Sequence, residues 1–215
     1  LVVLAAPSQY ARALFERLGQ SRRQADALYV SVAKGIEVRS RRRMSELFAE
    51  VCGPARFGVL SGPSHAEEVA RGIPTAVVAA SRQAEVAEAL QAAFMTGSFR
   101  VYSSDDVVGV ELGGALKNVL ALAAGVCDGM GFGDNTKAAL MTRGIVEMAR
   151  LGAALGGRPE TFSGLSGIGD LIVTCTSRHS RNRHVGEELG RGGRLDDIVR
   201  AMGGQVAEGV TTAES

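Results

Sequence analysis

Cysteine is scarce in this sequence, with three in 215 residues, at Cys52, Cys127 and Cys175. An odd, widely spaced set argues against a disulfide framework and fits a reducing compartment. Excess charge of either sign is also missing: 24 basic and 23 acidic side chains leave a formal net charge of +1. That balance provides no electrostatic case for nucleic acid or a membrane surface as a partner. Aromatic residues make up 5%. The one dense basic run, Arg39 to Arg43, therefore lacks stacking partners and reads as a solvated helix start. No apolar run reaches the ~18 residues that span a bilayer; Leu112 to Val126 is too short and is interrupted by Lys117 and Asn118. His65, His179 and His184 share no metal-ligand spacing with the cysteines, so no metal is assigned. No leader, internal repeat or low-complexity segment is visible. The chain starts at Leu1, inside an apolar run, and stops at Ser215 without a stop signal, which reads as a fragment.

What is present is the composition of an ordinary globular chain, 46% hydrophobic and 22% charged, and long enough to bury a substantial core. Apolar runs at Leu1 to Ala6, Ala27 to Val32, Phe57 to Leu60, Thr75 to Ala80 and Phe99 to Tyr102 read as strands. Between them lie stripes at helical spacing: Ala11, Leu14, Phe15 and Leu18, with Ser8 as cap and Gly19 as stop; Met44, Leu47, Phe48 and Val51, closed by Gly53-Pro54; and Val86, Ala89, Leu90 and Phe94. This alternation predicts a parallel or mostly parallel sheet flanked by helices. After Asp105 no strand pattern is found, and stripes such as Met141, Ile145, Met148 and Leu155 predict a mainly helical second half.

The stretch Val110 to Asn118, V-E-L-G-G-A-L-K-N, stands out because a lysine sits inside an apolar helix. A snorkelling surface lysine is the commoner outcome; a cleft lysine with a perturbed pKa is the alternative. Gly113 and Gly114 favour the second, since close approach of a backbone or ligand is one reason to keep glycine near a helix start. Pro7-Ser8, Lys34-Gly35 and Ser61 to Ser64 fall at strand ends, where open parallel sheets bind ligands. Each also serves as an ordinary turn. Asp170 reads either as a helix cap or as the anionic partner of a lysine. Ser180, Arg181 and Asn182 read either as a capped, exposed helix start or as a phosphate seat.

Several segments occur in one order: A-P-S (6–8), K-G-I-E (34–37), S-G-P-S-H-A (61–66), V-E-L-G-G-A-L-K-N (110–118), A-A-L-M-T-R-G (138–144), G-L-S-G-I-G-D-L-I-V-T-C (164–175) and S-R-N (180–182). Together they resemble the bacterial NAD(P)-dependent glycerol-3-phosphate dehydrogenases over essentially the whole chain. The resemblance implies a partial α/β Rossmann-type domain, residues 1–108, followed by an all-α domain, residues 109–215. It implies hydride transfer between sn-glycerol 3-phosphate and NAD or NADP, giving dihydroxyacetone phosphate, in glycerophospholipid synthesis in the cytoplasm. It implies Lys117 as the catalytic lysine. Substrate contacts fall on Lys34, Gly62, Ser64, Lys117, Asp170, Ser180, Arg181 and Asn182. Cofactor contacts fall on Lys34, Ala66, Arg181, Val206 and Glu208. A small-molecule phosphate is the expected partner, and a homodimer the expected assembly. The G-x-G-x-x-G pyrophosphate loop of such enzymes is absent from these residues. A related β-hydroxyacid dehydrogenase and an inactive binding or oligomerisation fragment are the alternatives.

Overall fold

The computed structural model describes residues 1–21 and 26–214. Five strands form one sheet in sequence order: β1 (Val2–Leu4), β2 (Leu28–Ser31), β3 (Arg56–Ser61), β4 (Thr75–Ala80) and β5 (Phe99–Ser104). All neighbours are parallel except β3 and β4, so the sheet is mostly parallel, as expected. The exception follows from the connection. Between Ser61 and Thr75 the only helix is the one-turn α3 (Ala66–Val69), too short for a crossover, and the chain turns back on itself.

Two helices cover one part of the sheet. These are α1 (Ala11–Gln20), after a 3-10 turn at Ser8–Tyr10, and α2 (Met44–Cys52). The α2 stripe buries Met44, Leu47 and Phe48. The Phe48 ring packs 5.3 Å from Phe15, 5.1 Å from Tyr29 and 4.6 Å from Phe57. Gly53, at φ 75° and ψ −174°, ends α2 in a positive-φ extended conformation that glycine adopts freely. Beside this cluster, α4 (Ala84–Phe94) closes a second one, placing Val86 and Leu90 against Val30, Val77, Ala79 and Val101.

From residue 107 onward every regular element described is helical: α5 (Val107–Gly129), α6 (Asp134–Ala154), α7 (Pro159–Phe162), a π turn (Leu165–Gly169), α8 (Asp170–Thr176), α9 (Arg181–Gly190), α10 (Leu195–Ala201) and α11 (Glu208–Ala213). The axis of this half is α5, against which α6, α8, α9 and α11 all pack.

Several expectations from the sequence need correction. The first strand is shorter than Leu1 to Ala6. It lies at the sheet edge, so Val3 stays 46% exposed rather than buried. Ser8 does not cap α1 with its side chain, and Gly19 lies inside that helix. The run Arg39 to Arg43 is not a uniformly solvated helix start: Arg43 is buried, because Glu111 and Glu46 take its guanidinium. The long helix begins at Val107, where the Asp106 carboxylate accepts the Gly109 N–H. Gly113 and Gly114 are therefore in its interior. Close approach is still their role: a Cβ on Gly113 would run into the Ser166 carbonyl, and one on Gly114 would lie 2.8 Å from Ser61 Oγ. Finally, by length and composition α5 is apolar enough to cross a membrane, but 61% of its most apolar window is buried within the fold. A core helix meets the same criterion.

Candidate functional site

The carboxyl ends of β1, β2 and β3 point the same way, toward α5. Here the chain segments Ala5–Pro7, Val32–Lys34 and Ser64–Glu67 meet Lys117, Thr174 and the start of α9 around a cleft of about 530 Å³.

Helix geometry sets the chemistry on one wall. Asp170 and Thr174 are one turn apart on α8 and share a face. Lys117 comes from the facing side of α5. Its Nζ donates to Asp170 Oδ1, and to Thr174 Oγ1 at 2.8 Å. A second ammonium, Lys34 Nζ, donates to Asp170 Oδ2 at 2.7 Å and to the Gly62 carbonyl at 2.6 Å. One carboxylate, 1% exposed, thus serves two lysines. Lys117 itself is only 5% exposed, so it does not snorkel. Burial pushes its pKa down to about 8, the Lys34 charge adds to the fall, and Asp170 opposes it. For Asp170, burial works against ionisation, but the two ammonium groups outweigh it and hold the carboxyl below its ordinary value. The helix-cap reading of Asp170 gives way here, since both its oxygens face lysines.

A chain of amides backs the cleft. Asn118 Nδ2 donates to the Lys34 carbonyl at 2.7 Å and to the Gly114 carbonyl at 3.2 Å. Asn118 Oδ1 accepts from Asn182 Nδ2 at 2.9 Å, and Asn182 Oδ1 accepts the Gly209 N–H at 2.8 Å. These bonds fix the Asn182 amide so that its second N–H remains unused. Ser180 caps α9 by accepting the Arg183 N–H at 3.2 Å, and Arg181 opens that helix on the cleft wall. The capped-helix and anion-seat readings are thus compatible. At the opposite end the Ser8 N–H donates to Glu208 Oε1 at 2.9 Å, joining the 3-10 turn after the first strand to α11. Burial pushes the Glu208 carboxyl up. Cys175, next to Thr174, is buried and its thiol is pushed up to about 12, which leaves it inert as a nucleophile.

Of the residues singled out from the sequence, Lys34, Ser64, Ala66, Lys117, Ser180, Arg181, Asn182, Val206 and Glu208 line this cleft. Gly62 and Asp170 sit behind its wall and hold Lys34 in place. Asn118, Thr174, His65 and His179 also line it and were not singled out as site residues. Thr174 was recoverable, since four residues after Asp170 on a helix is the same face. Asn118 follows Lys117 directly, and only its long-range partners give it a role.

An open, mostly parallel sheet whose strand ends share a charged cleft with a helical unit defines a Rossmann-type class of protein, in which ligands bind at the carboxyl ends of the strands. Comparison with known proteins narrows the class. Residues 1–87 match the model for the NAD-dependent glycerol-3-phosphate dehydrogenase N-terminus, and residues 106–215 that for the C-terminus. The chain belongs to the NAD-dependent glycerol-3-phosphate dehydrogenase family. A Pelotomaculum thermopropionicum protein named glycerol-3-phosphate dehydrogenase (NAD(P)+) is 60% identical over 193 residues, 88% of this chain and 55% of the relative. A Chlorobium phaeobacteroides (strain BS1) protein of the same name is 52% identical over 221 residues, 100% of this chain and 65% of the relative. The crystal structure of the Coxiella burnetii glycerol-3-phosphate dehydrogenase superposes with a TM-score of 0.93 at 40% identity, covering 99% of this chain and 65% of that one. The chain spans at most about two thirds of the length of these proteins.

Proposed function

We propose that this chain carries the substrate-holding and proton-transferring part of an NAD(P)-dependent glycerol-3-phosphate dehydrogenase, with residues 1–108 as the dinucleotide-side unit and 109–215 as the substrate unit. The observation that carries this reading is Lys117: a buried amine, facing a cleft, pinned by Asp170 and Thr174. Oxidation of a secondary alcohol needs a base for the hydroxyl proton, and reduction of the ketone needs an acid for the developing alkoxide. An amine titrating at about 8 serves both directions near neutrality. Asp170 orients it, and Lys34 keeps its proton loosely held. Arg181, the Asn182 N–H and the α9 amino terminus suit a phosphate at the other end of a three-carbon substrate.

The residues also suit the dinucleotide. Ala5, Pro7, Val32 and Ala33 make an apolar wall for a flat ring, and Ser8 Oγ and Glu208 Oε2 are buried beside it without hydrogen-bond partners. Lys34, Ala66, Arg181, Val206 and Glu208 are the residues assigned to hold it. When bound, its nicotinamide accepts or returns the hydride. The reading leaves NAD or NADP open and extends to the cytoplasm as location and a homodimer as assembly. A β-hydroxyacid dehydrogenase is disfavoured by the phosphate seat, and an inactive fragment by the complete lysine–aspartate–threonine arrangement.

In the protein that carries this chain, Lys117→Met should lower turnover of glycerol 3-phosphate by roughly 10³-fold, with circular dichroism unchanged. Wild-type oxidation, which uses the neutral amine, should rise as pH increases through about 8 and then level; reduction should fall over the same range. Near wild-type turnover in Lys117→Met would end the assignment.

A further inference from the structure

His65 has no part in the chemistry above, yet it stands in the same cleft. It precedes α3, caps nothing with its side chain, and comes from the strand-end segment that the sequence marks. Its ring lies 6.1 Å from the ring of His179, with the planes at 55°, and both histidines line the cleft. Its Nε2 is covered and has no hydrogen-bond partner. From the surrounding elements it faces the Val173 main chain and Asp170 on α8, Lys117 on α5 and Lys34 after β2. Arg181, Glu67 and Glu208 share the cleft wall.

The charge balance of this cluster is the basis for the inference. Asp170 is already shared by two ammonium groups and Arg181 adds a third cation, while the other carboxylates on the wall are the exposed Glu67 and Glu208, which accepts the Ser8 N–H. A proton on His65 would add a fourth cation. Burial, and then the Lys117 charge, push His65 below its ordinary value. A doubly negative oxyanion reverses that field. We propose that His65, paired with His179 on the cleft wall, binds a proton there, and that this proton strengthens the hold on a dianionic oxyanion, the phosphate of the substrate. The proposal rests on the phosphate-ester reading above.

Linkage fixes the sign. The anion raises the pair's affinity for a proton, so the proton raises affinity for the anion by the same factor. The gain is complete below the histidine's anion-free value and disappears as pH rises through its anion-bound value.

Inorganic sulfate is the right probe because its charge is constant in this range, whereas a phosphate ester titrates. Calorimetry on the protein that carries this chain, at about pH 5.5 and about pH 7.5 in buffers of different ionisation enthalpy, reads both affinity and proton uptake. Sulfate should bind roughly threefold to tenfold more tightly at the lower pH, with uptake approaching one proton. His65→Gln should reduce the factor to below about twofold and abolish the uptake. His179→Gln should flatten the response in the same way, and decides the matter if His65→Gln does not fold. Equal pH dependence in wild type and variants, or no sulfate binding in wild type, overturns the pair. Turnover of glycerol 3-phosphate by the wild type, assayed alongside, separates the two readings. Its absence overturns the dehydrogenase assignment, while the sulfate data still decide the histidines.

Discussion

Two buried ion networks hang from the same helix, less than two turns apart, and they differ in one respect. At Glu111 a single carboxylate accepts Arg43 Nη1 at 2.6 Å, the Ser45 N–H at 2.7 Å and Ser45 Oγ at 2.6 Å. Arg43 also donates to Glu46, whose side chain is 45% exposed, so the surplus carboxylate faces water, while Arg43 and Glu111 are both buried. Burial pushes the Glu111 carboxyl up against the opposing pull of Arg43 and Ser45. This network ties α2 to α5, and none of its residues lines the cleft around Lys117. At Lys117 two ammonium groups share one carboxylate, leaving one positive charge without an anion, on the wall of a cleft. The first network is complete as folded. The second is completed only by a ligand, and an unbalanced buried charge beside a cavity marks a site better than the presence of buried charge does.

The largest expected effect comes from removing the anion that the two lysines share. Asp170→Asn leaves two ammonium groups facing each other in a buried place. Stability should fall by about 3–5 kcal/mol, the usual result of breaking a buried pair from one side. Turnover should fall by roughly 10²-fold or more, because Lys117 loses its orienting partner. Because Asp170 is held below its ordinary 3.8, its stabilising effect is present above that value and is lost as pH falls through the lower, folded one. Denaturant titrations across pH should therefore show a flatter acid limb in the variant. Unchanged turnover would erase the distinction between the two networks.

Arg43→Met tests the other side of the comparison. It leaves Glu111 buried beside Ser45 without its cation, and should cost about 3–5 kcal/mol of stability. Turnover per folded molecule should stay within about twofold of wild type, since nothing in the cleft touches Arg43. The double variant Arg43→Met/Glu111→Leu should recover most of the loss, because a matched apolar pair has no charge to solvate. If turnover instead falls as far as in Asp170→Asn, both networks belong to the site.

The sequence shows the sheet more clearly than the charges. The runs from Thr75 and from Leu28 read as strands because apolar β-formers cluster there, and the switch to helix after Ser104 is visible as a change of period. The Lys117 helix was recognisable too, but its start was not, because the Asp106 cap is only evident from its bond to Gly109. Arg43 looked solvated because its partner Glu111 is 68 residues away. Asn118, Asn182 and Gly209 form their chain across three helices, and no local spacing encodes such a contact. Motif resemblance selected nine of the residues that line the cleft, because it draws on whole folded relatives. It passed over His65, which lies between two residues it did select.

The smallest effect is the most discriminating for the lysine. Thr174 Oγ1 accepts from Lys117 and donates to the Asp170 carbonyl one turn back, at 2.5 Å. Thr174→Val keeps the shape and removes the acceptor, so the protonated amine loses one of its two partners. The variant should cost about 1 kcal/mol in stability. It should move the midpoint of the pH–rate curve for oxidation downward from about 8, by less than ~1 pH unit. The direction follows because an acceptor stabilises only the charged amine, so its loss favours the neutral base. Values of kcat/KM measured across this range decide it. A midpoint that stays in place, or moves upward, means that another group than Lys117 governs the pH dependence, and the open network would then lose its claim to the proton.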